Sequence, residues 1–98
     1  MDIQKEESFR HWLPLNGVNG GSISSYVSRI KNLEHAFNDD IDKLIQSDEL
    51  RLLDRINRDN IPLASDQTIK DIKIAVRKYC RCFYPKGEII AKKAKDVR

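Results

Sequence analysis

Four cations stand where a helix would place them on one side: Lys70, Lys73, Arg77 and Arg81. At about 100° per residue their side chains share less than a quarter of the circumference. Such a stripe can hold a polyanion, because Lys and Arg displace counterions from a phosphate backbone and fix position without reading sequence. Arg77 and Arg81, on consecutive turns, could instead reach base edges, since a guanidinium matches the two acceptors of guanine. The same pattern also describes an ordinary solvated face.

Other chemistry is thin. Cys80 and Cys82 are two apart, so on a helix they do not face one direction, and C-x-C is not the C-x-x-C of redox folds. With His11 and His35 the sole histidines, a four-ligand zinc site would have to gather every His and Cys of the chain. The spacing therefore predicts no metal and no cofactor, with Cys80 buried and Cys82 incidental. Asp39, Asp40 and Asp42 lack the D-x-D-x-D-G register and the distant Glu of a calcium loop, and read as a helix-start cluster. Tyr26 and Tyr79 fall on apolar faces, which suits core packing with an outward hydroxyl better than a nucleophile. Ser24 and Ser25 have no His/Asp partners at recognisable spacing. Gly20-Gly21 reads as a turn, and no P-loop or G-x-G-x-x-G occurs. Catalysis is not expected.

The element that must carry the stripe is a helix over residues 65–84. Ile69, Ile72, Val76, Tyr79, Cys80 and Phe83 recur at the three-and-four spacing of one buried face. Ser65 or Asp66 can cap it, and Pro85 with Gly87 stops it. A second amphipathic helix is expected over 22–37, with Ile23, Tyr26, Val27, Ile30, Leu33 and Phe37 inward and Ser22 as cap. Shifting its apolar positions by 46 lands on apolar positions of the last helix, an echo that shared periodicity alone can also produce. Residues 41–57 hold either one helix or two meeting near Ser47, where S-D-E-L resembles a restart. Residues 8–15 make a short helix that Pro14 would end or kink, followed by a Gly/Asn turn at 16–21. Trp12 is expected to plug the core, or, if exposed beside Phe9 and Leu13, to mark a protein-binding patch. Period-2 alternation is absent, so the fold class is all-α.

A chain of 98 residues suits one small domain. Its net charge of +3 conceals a division: 8 Lys/Arg against 12 Asp/Glu through Ile69, then 10 against 3 from Lys70 onward. No apolar run is long enough to span a bilayer, and the acidic start M-D-I-Q-K-E-E is not a signal peptide, so the expected location is cytoplasmic, with reduced thiols.

Taken together, F-x-x-W-L at 9–13, S-I-S-S-Y-V-S-R-I-K-N-L at 22–33, D-I-D-K-L at 40–44 and T-I-K-D-I-K-I-A-V-R-K-Y-C-R-C-F-Y at 68–84 resemble the core-binding domain of tyrosine recombinases and phage integrases. The resemblance covers residues 8–84, with 1–7 as a polar lead-in and 85–98 as a basic tail. It implies a compact, SAM-like orthogonal bundle of four to five helices that clamps double-stranded DNA with its second and last long helices. Carried over by position, the contacts implied are Ser24, Ser25, Arg29 and Lys31 on the former and Lys70, Lys73, Arg77, Lys78 and Arg81 on the latter. The family's catalytic domain, with its Arg, His-x-x-Arg and nucleophilic Tyr, has no counterpart in these residues. Two other classes fit the pattern: a phage or mobile-element accessory protein docking through Phe9, Trp12, Leu13 and the tail, and the recognition unit of a restriction-like nuclease.

Overall fold

Asp2 starts the first helix: its carboxylate accepts the Lys5 backbone N–H at 2.7 Å, satisfying a donor that every helix N-terminus leaves open. The computed structural model describes residues 1–85, the side chains of 48–50 excepted. Helix α1 covers Ile3–Leu15, a 3-10 turn Gly20–Ser22, α2 Ile23–Phe37, α3 Ile41–Arg55 and α4 Asp66–Phe83. The fold is thus an all-α bundle, without a strand among the described residues.

One expected boundary moves, the start of the first helix. Residues 3–7, read as a lead-in, form the first turns of α1. Apolar spacing cannot see them because α1 buries only Phe9 and Leu13. Their polar side chains are instead tied to other helices, Lys5 Nζ to Asp42 of α3 and Glu6 to Lys31 of α2, both at 2.8 Å. Pro14 does not end α1: it sits in the last turn, and the helix runs on to Leu15, the expected end. The chain then reverses at Gly17, whose φ of +88° favours glycine and lets the Val18 N–H reach the Leu13 carbonyl.

Ser22 precedes α2 but makes no capping bond; the side-chain cap lies three residues earlier, where Asn19 accepts the Gly21 N–H at 2.9 Å. Asn38, in the left-handed region at φ +51°, ends α2, and Asp40 caps α3 by accepting the Asp42 N–H at 2.8 Å. Helix α3 passes Ser47 unbroken. The Ser47 hydroxyl donates back to the Leu44 carbonyl at 3.2 Å, so it serves the helix it is in and does not cap a new one. For α4 the cap is Ser65, which accepts the Thr68 N–H at 3.1 Å, and the helix closes with the Tyr84 N–H on the Cys80 carbonyl just before Pro85. Gly87 and the basic run at 92–95 lie outside the described residues.

The core forms where α2 packs on α4 and α1. Val27, Ile30 and Leu33 of α2 meet Ile69, Ile72, Val76 and Tyr79 of α4, all buried as their spacing predicts, with Ala75 buried beside them. Phe9 lies edge-on to Tyr79, ring centres 5.3 Å apart, and Tyr79 touches Phe83 at 4.7 Å. Trp12 stacks beside Phe9 as a half-buried flank of this cluster. Phe9 and Leu13 are themselves fully buried, so the trio Phe9, Trp12 and Leu13 offers no exposed docking patch.

One carboxylate fixes α1, α3 and the end of α4 relative to each other. Asp42 accepts the Tyr79 hydroxyl at 3.0 Å, the Tyr84 hydroxyl at 2.6 Å and Lys5 Nζ at 2.8 Å. Replacing Asp42 with Ala strands a buried phenol and a lysine, at a cost of about 2–3 kcal/mol. In a domain of this size that lowers the thermal midpoint by roughly 10–20 °C. Tyr79→Phe leaves the carboxylate two donors and costs about 1 kcal/mol. Melting curves followed by circular dichroism compare the two variants, and equal midpoints would show that Asp42 is no tie.

Candidate functional site

The outer side of α4 is set by what its inner side buries. With Ile72, Val76 and Tyr79 held in the core, Lys70, Arg77 and Arg81 are exposed, and Lys73 and Lys78 flank them half-buried. Among the described residues none of these five cations has an ion-pair or hydrogen-bond partner. Lys70 to Arg81 spans about 17 Å along the helix axis, the rise of about five base pairs. Ile74, absent from the expected core face, projects from the middle of this surface, 41% exposed.

Helix α2 divides its four implicated residues between two flanks. Ser25 and Arg29 face α4, where Arg29 Nη2 stands 3.7 Å from Asp71 Oδ2. Ser24 and Lys31 face α1. Lys31 Nζ pairs with Glu6 Oε1 at 2.8 Å, and Ser24 Oγ is the 3.5 Å acceptor of Arg10 Nη1, whose Nε binds Glu6. The nine residues therefore do not form one patch: seven lie on or beside the outer side of α4, and Ser24 and Lys31 belong to the α1 flank.

Between the α4-facing flank of α2 and α4 itself lies a cleft of about 230 Å³, lined by Ser22, Ser25, Tyr26, Arg29, Asp71 and Ile74. Sequence reasoning missed Asp71 and Ile74 as surface determinants. The available signal was the lone acid in I-K-D-I-K, three residues before Ile74.

The remaining candidates have structural duties. Asp39 accepts the Asp40 N–H, Asp40 caps α3, and Asp42 gathers two phenols and a lysine. No group of three or more His, Cys, Asp or Glu among the described residues could hold a metal ion. Cys80 and Cys82 are both half-buried thiols packed against the core, and burial pushes the Cys82 thiol up, against the opposing pull of Lys5. No helix among the described residues is long and apolar enough to cross a membrane.

Hydrogen bonds from Lys31, foremost, and from Arg10 hold the Glu6 carboxyl below its ordinary 4.5. A carboxyl lowered on folding stabilises the native state above its unfolded pKa and ceases to as pH falls through the lowered value. The Glu6 contribution is thus whole at neutral pH, begins to weaken below about 4.5 and is lost as the pH falls through the lowered value. Glu6→Gln lowers stability at pH 7 by about 0.5–1 kcal/mol, and the difference from the parent shrinks as the pH falls below 4.5; urea unfolding at neutral and acid pH checks this. Compared with known proteins, the chain matches no family model, and no curated protein or solved structure matches it significantly.

Proposed function

We propose that this chain is a non-catalytic DNA-binding domain, acting in the cytoplasm, that lays the basic outer face of α4 against the duplex as the recombinase core-binding domains it resembles do. The observation that carries this reading is the set of exposed cations Lys70, Arg77 and Arg81, which have no carboxylate partner among the described residues. A cation already paired gives up one interaction to gain another, whereas an unpaired one gains the full effect of counterion release. Ser25 and Arg29 support the α4 face from the side. Lys31, engaged by Glu6, contributes less.

The accessory-protein reading needs a contiguous exposed apolar patch. Among the described residues the exposed large apolar side chains are Ile3, Leu15, Leu63 and Ile74, at the two ends of α1, in the loop before α4 and in the middle of α4. Singly exposed residues of this kind are ordinary on a soluble surface.

Fluorescence anisotropy with random and mixed-sequence duplexes across a salt series tests the proposal. Affinity is expected to fall log-linearly with salt, with a slope of roughly −3 for three to four phosphate contacts. Reversing Arg77 or Arg81 to Glu lowers affinity at least about tenfold and reduces the slope by about 1, whereas Lys31→Glu has a smaller effect. Absent or salt-insensitive binding overturns the assignment.

A further inference from the structure

The cleft between α2 and α4 contains a guanidinium that the fold leaves under-satisfied. Arg29 is two-thirds buried, its side chain 32% exposed, yet its charged partner among the described residues, Asp71, is 3.7 Å away, beyond hydrogen-bonding distance. Its Nε is enclosed and has no hydrogen-bond partner among the described residues. Buried guanidinium groups are ordinarily met by close, often two-pronged acceptors. Asp71, equally exposed, is better provided for: its other oxygen accepts Gln67 Nε2 at 3.0 Å. The pair can therefore part without stranding the carboxylate.

The other lining groups fit an anion with several acceptor oxygens. Ser22 and Ser25 carry hydroxyls, and that of Ser22 makes no capping bond. Tyr26 and Ile74 supply the apolar walls. As α4 turns, Ile74 comes between Asp71 on one side and Lys70 and Arg77 on the other, so the cleft borders the cationic face.

We infer that this cleft seats one backbone phosphate of the bound nucleic acid, and that Asp71 is a built-in competitor which holds Arg29 until the phosphate displaces it. The inference rests on the DNA-binding reading above and deepens it. Arg29 exchanges a long ion pair for a charge-assisted hydrogen bond to a phosphate oxygen, and Asp71 stays with Gln67 and water. Its carboxylate thus sets a threshold that an isolated monovalent anion meets less well than a phosphodiester already held by the α4 face.

The test compares duplex affinities of four variants, each checked for helix content. Asp71→Asn is expected to tighten binding about three- to tenfold by freeing Arg29. Asp66→Asn makes the same charge change on the same helix at an exposed position outside the cleft, and is expected to alter affinity less than about twofold. Arg29→Gln weakens binding, and combining it with Asp71→Asn abolishes the gain. Inorganic phosphate, titrated at constant ionic strength, shifts the amide resonances of Ser25 and Arg29 in the parent and not in Arg29→Gln. Duplex binding in which Asp71→Asn matches Asp66→Asn overturns the cleft assignment while the α4 face stands. Phosphate shifts without any duplex binding overturn the nucleic-acid reading and support only the cleft's phosphate chemistry.

Discussion

The arrangement depends on how the Asp42 side chain is accommodated inside the fold. A carboxylate only 16% exposed is costly to desolvate unless its lone pairs are met, and the sequence meets them from two other helical segments. Lys5 arrives from α1, Tyr79 from within α4 and Tyr84 from its end. Burial first, and the neighbouring carboxylate second, push the Tyr79 phenol well above its ordinary range, so it remains a donor at any physiological pH. Tyr79 is also the largest fully buried side chain, with its ring edge-on to Phe9. One residue thus joins the apolar core to the polar tie, and its position fixes the rotation of α4 about its own axis.

That rotation is what gives the surface its character. On a helix, a turn of about 100° is one residue step, so a small change in which residues are buried would bring Asp71 or Gln67 into the place of Lys70 and Arg77. The fully buried Ile72, Ala75, Val76 and Tyr79 resist this from the inside, and the Asp42 bonds resist it at the C-terminal end. The outward cations are therefore a consequence of core packing. They need no attractive partner of their own, and this is why they can stand without one among the described residues.

What could be read from the sequence follows from the range of each interaction. Periodic burial of α2 and α4, the Ser65 cap and the Asn38–Asp40 junction all depend on residues a few positions apart, and all are legible. The start of α1 is not read from the sequence, which gives 1–7 as a lead-in, because residues 3–7 owe their place to partners such as Asp42 and Lys31, far away in the chain. Ser47 shows a local ambiguity: the same hydroxyl can cap a new helix or bond back into the old one, and packing of Leu44, Ile45 and Leu52 on both sides decides for continuity. Of the implicated surface residues, those on α4 could be placed by helical geometry alone. The split between Arg29 and Lys31 could not, since two residues apart on α2 they face different neighbours, Asp71 and Glu6.

The consequence for charge is general. A count of Lys and Arg treats Lys31 and Arg77 as equal, yet Lys31 lies 2.8 Å from a carboxylate and Arg77 has no such partner among the described residues. At a distance beyond about 10 Å a close ion pair looks neutral to a polyanion, whereas a solitary guanidinium retains its whole field. The acidic first part of the chain is thus consistent with a basic face on the last helix: its carboxylates at Glu6 and Asp42 are directed inward, at Lys31 and Lys5, and not at the outer side of α4. Asp71 is the exception, the one acid placed on α4 where it meets a cation of α2, and its looser contact leaves that cation open to exchange.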